Sequence, residues 1–229
     1  KVLSEITPEI VSKYPEQLAF TQKLSKHLGC NVNNICLTNG SAEAVRYIIQ
    51  AFTSPRGKII SVTPSYAMYE VYSNMYGRKH VPVNYNDDLS FDIDNIIKEI
   101  TPDTQLVIIV NPNNPVGDAY TDDEMNRIIE AAKKNEATAL IDEAYHYFYP
   151  NSFINYALEN NHVFVTRTFS KLFSLAGCRL GYAVGKADGI ALIQKLCTPH
   201  NINAFGMAFA GAIPVSYTHL RAHETLANL

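Results

Sequence analysis

QLVIIVNPNNPVG, residues 105–117, runs an unbroken aliphatic series from Leu106 to Val110 into a turn whose two prolines stop it from continuing as strand or helix. Successive side chains of a strand point to opposite faces, so a strand that is apolar at every position is buried on both. KIISV (58–62), TALIDEA (138–144) and VFVTRTF (163–169) read as strands of the same kind, and TDDEMNRIIEAAKKN (121–135) as an amphipathic helix between two of them. Strands alternate with helices. The expected fold is therefore α/β, three layers α/β/α around a mostly parallel sheet.

Composition narrows the class. The 229 residues are 47% hydrophobic, enough for a packed core. A net charge of −3 without a long basic run predicts no nucleic-acid or anionic-membrane partner, so an anion would be held locally. Cys30, Cys36, Cys178 and Cys197 show neither metal-ligand nor disulfide-framework spacing, which predicts no metal site and a reducing cytoplasm. No apolar run approaches a membrane span and no signal-peptide pattern opens the chain. The chain also opens without methionine, so an end is expected to be missing.

Ligands of such sheets bind beyond the carboxyl ends of the strands. Five segments fall there: TNGSAEA (38–44), TPSYAMY (63–69), NPNNPVG (111–117), DEAYHYF (142–148) and FSKLFSLAG (169–177). In LTNGSAEAVRYIIQAF (37–52), Gly40 allows a sharp turn and Ser41 is expected to cap a helix whose free amides could receive a phosphate. An ordinary serine cap reads the same way. The Gly-Lys-Ser/Thr ending of a P-loop is lacking.

In NPNNPVG the stiffened backbone holds Asn113 and Asn114 at the strand end, where an amide could donate to a phenolate-like oxygen or simply fill a turn. TALIDEAYHYF carries Asp142 to the sheet edge with Tyr145 three residues on. A buried carboxylate needs a partner; a protonated heterocycle nitrogen would serve, and so would the amides of a helix capped by Asp142. Glu143 reads as a residue that supports a neighbouring site residue or as a structural one, and His146 as a packed residue. Tyr66 could lie over a flat ligand or belong to the core. Finally, TRTFSKLFSLAGCRLGY (166–182) sets Lys171 directly after Ser170 and Arg179 eight residues further on, in a stretch otherwise short of charge. The two are either a surface pair or an amine nucleophile with an arginine holding an anion beside it.

Taken in order, the Gly-Ser turn, the Asn-Pro-Asn-Asn-Pro-x-Gly run, Asp-x-Ala-Tyr, and Ser-Lys with its trailing arginine resemble the fold-type I pyridoxal-phosphate enzymes, specifically the class I/II aminotransferases, over roughly residues 10–211. SKYPE, PSYAMY and IDEAY point within them to the histidinol-phosphate subgroup.

The resemblance implies pyridoxal 5'-phosphate as cofactor. Lys171 would bond it and move the substrate proton, Asp142 would pair with its ring nitrogen, and Asn114 and Tyr145 would bond its ring oxygen. Tyr66 would stack on the ring. Ser41 and Ala42 amides, Thr168, Ser170 and Arg179 would hold the phosphate, and Tyr14 would reach it from the partner subunit of a homodimer. The reaction implied is transamination between histidinol phosphate and 2-oxoglutarate in histidine biosynthesis. The alternatives are another class I/II aminotransferase, a threonine-phosphate decarboxylase-like enzyme, or a non-catalytic regulator domain on the same fold.

It also implies a division of the chain: an N-terminal segment at 1–30, a partial cofactor-binding large domain at 31–213, and a small C-terminal domain that is missing, with its substrate-carboxylate arginine. A chain so cut is expected to be inactive. Residues 214–229, PVSYTHLRAHETLANL, resemble a translated adapter and are expected to be a non-native tail, with no role for His219 or His223.

Overall fold

The computed structural model describes residues 2–212. Among the described residues seven strands form one sheet: β1 Ile35–Thr38, β2 Lys58–Thr63, β3 Lys79–Asn84, β4 Thr104–Val110, β5 Thr138–Asp142, β6 Val163–Thr168 and β7 Gly181–Val184. Their order is β1-β7-β6-β5-β4-β2-β3. The pairs β2·β3, β2·β4, β4·β5 and β5·β6 are parallel, whereas β7 runs antiparallel to both β1 and β6.

The alternation along β4 shows how both faces are covered. Leu106, Ile108 and Val110 belong to one apolar cluster, with Val45, Ile48 and Ile49 of the helix Ser41–Phe52, Tyr69 of Met68–Met75, and Ile190 and Ile193 of Ala187–Gln194. Val107 and Ile109 face the other, with Phe20 and Leu24 of Leu18–Leu28, Ile96 of Ile93–Glu99, Met125 and Ile128 of Asp122–Lys134, and Ile154 of Ile154–Glu159. The three-layer α/β/α expectation holds, with a sheet that is parallel except at β7.

The strands read from continuous aliphatic runs all form. β1 and β7 are four residues each, too short for a periodic signal, and β3 is an edge strand with exposed positions and Pro82, which an edge tolerates because it needs no ladder donor there. The helix Asp122–Lys134 carries a capping box between Thr121 and Glu124, acids in its first turn and Lys133 and Lys134 in its last, all favourable to its dipole.

Leu18–Leu28, inside the segment set apart at 1–30, shares its core cluster with the sheet. Residues 214–229, including His219 and His223, lie outside the described residues. No helix among the described residues is long and apolar enough to cross a membrane.

Candidate active site

The carboxyl ends of β4, β5 and β6 and the amino end of the helix Ser41–Phe52 meet at a cavity of about 270 Å³. Ser41, Ala42, Tyr66, Asn114, Asp142, Tyr145, Thr168, Ser170, Lys171 and Arg179 all line it, although they come from five separate segments of the chain.

One end is arranged for an anion. Gly40 occupies the N-cap position with φ 77° and ψ 165°, and no side chain caps the helix. This corrects the expectation that Ser41 is the cap: only glycine takes this backbone cheaply, so the half-in position falls to Gly40 and Ser41 becomes the first helical residue. The Thr38 hydroxyl donates to the Gly40 carbonyl oxygen at 2.9 Å, steadying the turn. The amino end of a twelve-residue helix thus presents uncapped amides and the positive pole of its dipole.

Arg179, itself in the left-handed region at φ 49°, reaches over this turn and donates from Nη2 to the Asn39 carbonyl at 3.3 Å. A β-carbon on Gly40 would come within 2.8 Å of Nη2, so glycine there also lets the guanidinium approach. Thr168 Oγ1 lies 2.9 Å from Ser170 Oγ, adding two hydroxyls on the same side.

The cavity is also lined by a carboxylate. Asp142 is 3% exposed. Its Oδ2 accepts from the Tyr69 hydroxyl at 2.7 Å, and its Oδ1 accepts from Thr166 Oγ1 at 3.0 Å and from the Ala144 amide at 3.2 Å. Burial raises its carboxyl above the ordinary range, against the three donors, which favour the ionised form. All of these partners are neutral, leaving the charge uncompensated. Asp142 is not a helix cap: the chain passes from it into a turn and then the short 3-10 helix His146–Phe148, whose N-cap is Tyr145.

Lys171, which also lines the cavity, is exposed, its Nζ 5.0 Å from the centroid of the Tyr145 ring. Tyr66 stands edge-on to Tyr69, centroids 5.4 Å apart and planes at 83°. The structure separates the two asparagines that sequence leaves equivalent. Asn113 is occupied internally, donating to the Pro64 carbonyl at 3.0 Å and the Tyr85 hydroxyl at 3.1 Å and accepting from Ser65 at 2.9 Å; Asn114 lines the cavity.

Glu143 is structural, as expected, but its partner was not legible. It forms a buried ion pair with Arg167, Oε2 to Nη2 2.7 Å, and accepts the Phe153 amide at 2.6 Å. Nothing local in TRTFSK marks Arg167 as buried. His146 is packed as expected, Nδ1 lying 3.1 Å from the Asn151 carbonyl oxygen. Tyr69 and Thr166, which hold Asp142, were also missed; the signal that could have found Tyr69 is its three-residue offset from Tyr66. Tyr14 lies away from the cavity, 73% exposed and stacked on His200 at 3.9 Å. Among the described residues no three His, Cys, Asp or Glu are grouped to hold a metal, and all four cysteines are free.

An uncapped helix end with a guanidinium beside it, a buried carboxylate with only neutral partners, and a lysine amine, all lining one cavity, fit a flat cationic heterocycle with a phosphate arm and a carbonyl. That is the chemistry of pyridoxal 5'-phosphate.

Known proteins agree. A family model described as aminotransferase class I and II matches residues 9–222, running through 214–222 of the segment set apart as a tail. The chain is 35% identical over 203 residues to the histidinol-phosphate aminotransferase of Thermoanaerobacter pseudethanolicus, covering 87% of this chain and 57% of that protein. The chain thus spans less than two thirds of the length of this relative. Its fold matches the crystal structure of the histidinol-phosphate aminotransferase from Clostridium acetobutylicum with a TM-score of 0.83 at 28% identity, over 95% of this chain and 65% of that one. It also matches that of the Sinorhizobium meliloti protein of the same name in complex with pyridoxal-5'-phosphate, with a TM-score of 0.86 at 23% identity, over 94% and 60%.

Proposed function

The chain belongs to the aminotransferase class I and II family, and we propose that its activity is pyridoxal-phosphate-dependent transamination from histidinol phosphate to 2-oxoglutarate, in histidine biosynthesis. One observation carries the reading: a lysine amine, a buried carboxylate and an uncapped helix end with an arginine line a single cavity. The names of the relatives support the amino donor.

When bound, pyridoxal 5'-phosphate supplies an aldehyde that takes up amino groups and a ring that draws electrons from the substrate's α-carbon. The chain does the rest. The Lys171 amine would hold the cofactor at rest and, when free, would take the proton from the α-carbon of the amino donor. Asp142 would keep the ring nitrogen protonated and would gain in it the cation that its burial calls for. Asn114 and Tyr145 donate to the ring oxygen, and Tyr66 covers the ring face.

Ser41 and Ala42 amides, Thr168, Ser170 and Arg179 grip the phosphate, so the cofactor stays bound when Lys171 is free. Tyr14, exposed on the surface, is proposed to reach the partner subunit's phosphate in a homodimer. The proposed location is the cytoplasm.

The test is a panel of amino donors with 2-oxoglutarate, followed by glutamate formation, in a protein extended to the relatives' full length. Preference for histidinol phosphate is expected. Preference for an aromatic amino acid would reassign the donor, and no turnover with bound cofactor would leave a binding domain rather than an enzyme.

A further inference from the structure

Tyr69 is 1% exposed and donates to Asp142 Oδ2 at 2.7 Å. The opposite oxygen, Oδ1, takes Thr166 Oγ1 at 3.0 Å and the Ala144 amide at 3.2 Å. Of the two side-chain donors, only Tyr69 also lines the cavity. Resting on the cofactor reading above, we propose that Tyr69 is a positioning residue: its hydroxyl pins the Oδ2 side of Asp142, so that the carboxylate stays ionised and fixed where the cofactor's ring nitrogen must meet it.

The reasoning is geometric first. The terminal torsion of an aspartate is broad and nearly two-fold, so a carboxylate held at one oxygen still swings about its last bond. Donors on both oxygens stop that rotation. Ionisation follows from the same contacts: burial pushes Asp142 toward its neutral acid, which cannot hold a cation by charge, and donors to the carboxylate oppose that push. Tyr69 is a dependable donor, because burial and the charge of Asp142 hold its phenol well above the ordinary range. The Tyr66 ring, edge-on to Tyr69, joins this support to the proposed covering of the cofactor face.

The test uses the 229-residue chain and two probes that cannot bond covalently to Lys171: pyridoxamine 5'-phosphate, and its deaza analogue with benzene in place of pyridine. Tyr69→Phe keeps the ring and removes only the hydroxyl. It is expected to weaken the pyridine probe about tenfold, the worth of one charge-assisted hydrogen bond, while the deaza probe changes by less than about twofold. In the ligand-free protein the 13C carboxyl signal of Asp142 should titrate at higher pH in Tyr69→Phe than in wild type.

Equal losses for the two probes would make Tyr69 merely structural and overturn the proposal, as would no loss for either. An unmoved Asp142 titration would overturn it whatever binds. A wild-type chain that binds neither probe would instead overturn the cofactor reading beneath it.

Discussion

Gly181 packs flat against the Gly40–Ser41 peptide: a β-carbon on Gly181 would stand 2.5 Å from the Gly40 carbonyl carbon and the Ser41 nitrogen, and 2.8 Å from the Arg167 carbonyl oxygen. Gly181 is the register partner of Thr38 on β1 and of Thr168 on β6. The antiparallel insertion of β7 thereby brings the Gly-Ser turn beside the Thr168 and Ser170 hydroxyls, and the absence of a side chain at 181 sets how closely they approach.

Gly181→Ala should therefore damage the anion end of the site. All the atoms it meets are backbone, which cannot yield as a flexible side chain would. An overpacking loss of about 1–3 kcal/mol is expected, which in a chain of this size lowers Tm by about 2–4 °C per kcal/mol. Thermal denaturation and titration with pyridoxamine 5'-phosphate check it; a variant that keeps both wild-type values would show the packing to be slack.

Lys171 should be the attachment point of the cofactor. Reduction of the cofactor-loaded protein with borohydride, digestion and mass spectrometry should place the label on Lys171. A label on Lys186 or Lys195 would remove Lys171 from its role, because a cofactor held at either would lie outside the cavity that Lys171 lines.

The Glu143–Arg167 pair predicts a non-additive cycle. Arg167→Met leaves the Glu143 carboxylate, with side-chain exposure of 0%, without its cation and should cost about 3–5 kcal/mol in urea unfolding. Adding Glu143→Gln removes the stranded charge, so the double variant should be more stable than Arg167→Met alone. Additive losses would mean that the two side chains stabilise the fold independently.

Acid should destabilise the protein partly through His146. Burial, with Arg167 nearby, lowers its pKa from 6.5 to about 4. A base whose folded value lies below its unfolded value contributes stability that is whole above the unfolded value and is lost as pH falls through the folded one. The window is thus pH 6.5 down to about 4. Across it, His146→Gln should lose less stability than wild type by on the order of 1–3 kcal/mol. Parallel stability curves for the two would show that His146 titrates as a solvent-exposed histidine does.

What the sequence determined here is what short stretches determine by themselves. The apolar runs within 58–62, 105–110, 138–142 and 163–168 read as strands covered on both faces, because alternation is absent. That reading placed their following segments at the ligand-binding edge, and with them Asn114, Asp142, Tyr145, Ser170 and Lys171. The sharp turn at Gly40 and the amphipathic pattern of 121–135 were local too.

Only the tertiary structure decided the rest, because the missing information lay in pairings across the chain. Four residues of β7 show no period, so its antiparallel place between β1 and β6 arises from ladder partners far away in sequence. Asn113 and Asn114 are the same residue type on the same turn, and Tyr85 and Pro64 claim one of them. Arg167 acquires its partner only where the end of β5 sets Glu143 beside it. Tyr69 is a core residue whose hydroxyl meets Asp142 only across 73 residues of chain. A residue's type and neighbours record its local preference; which buried group it must satisfy is decided by the elements that fold against it.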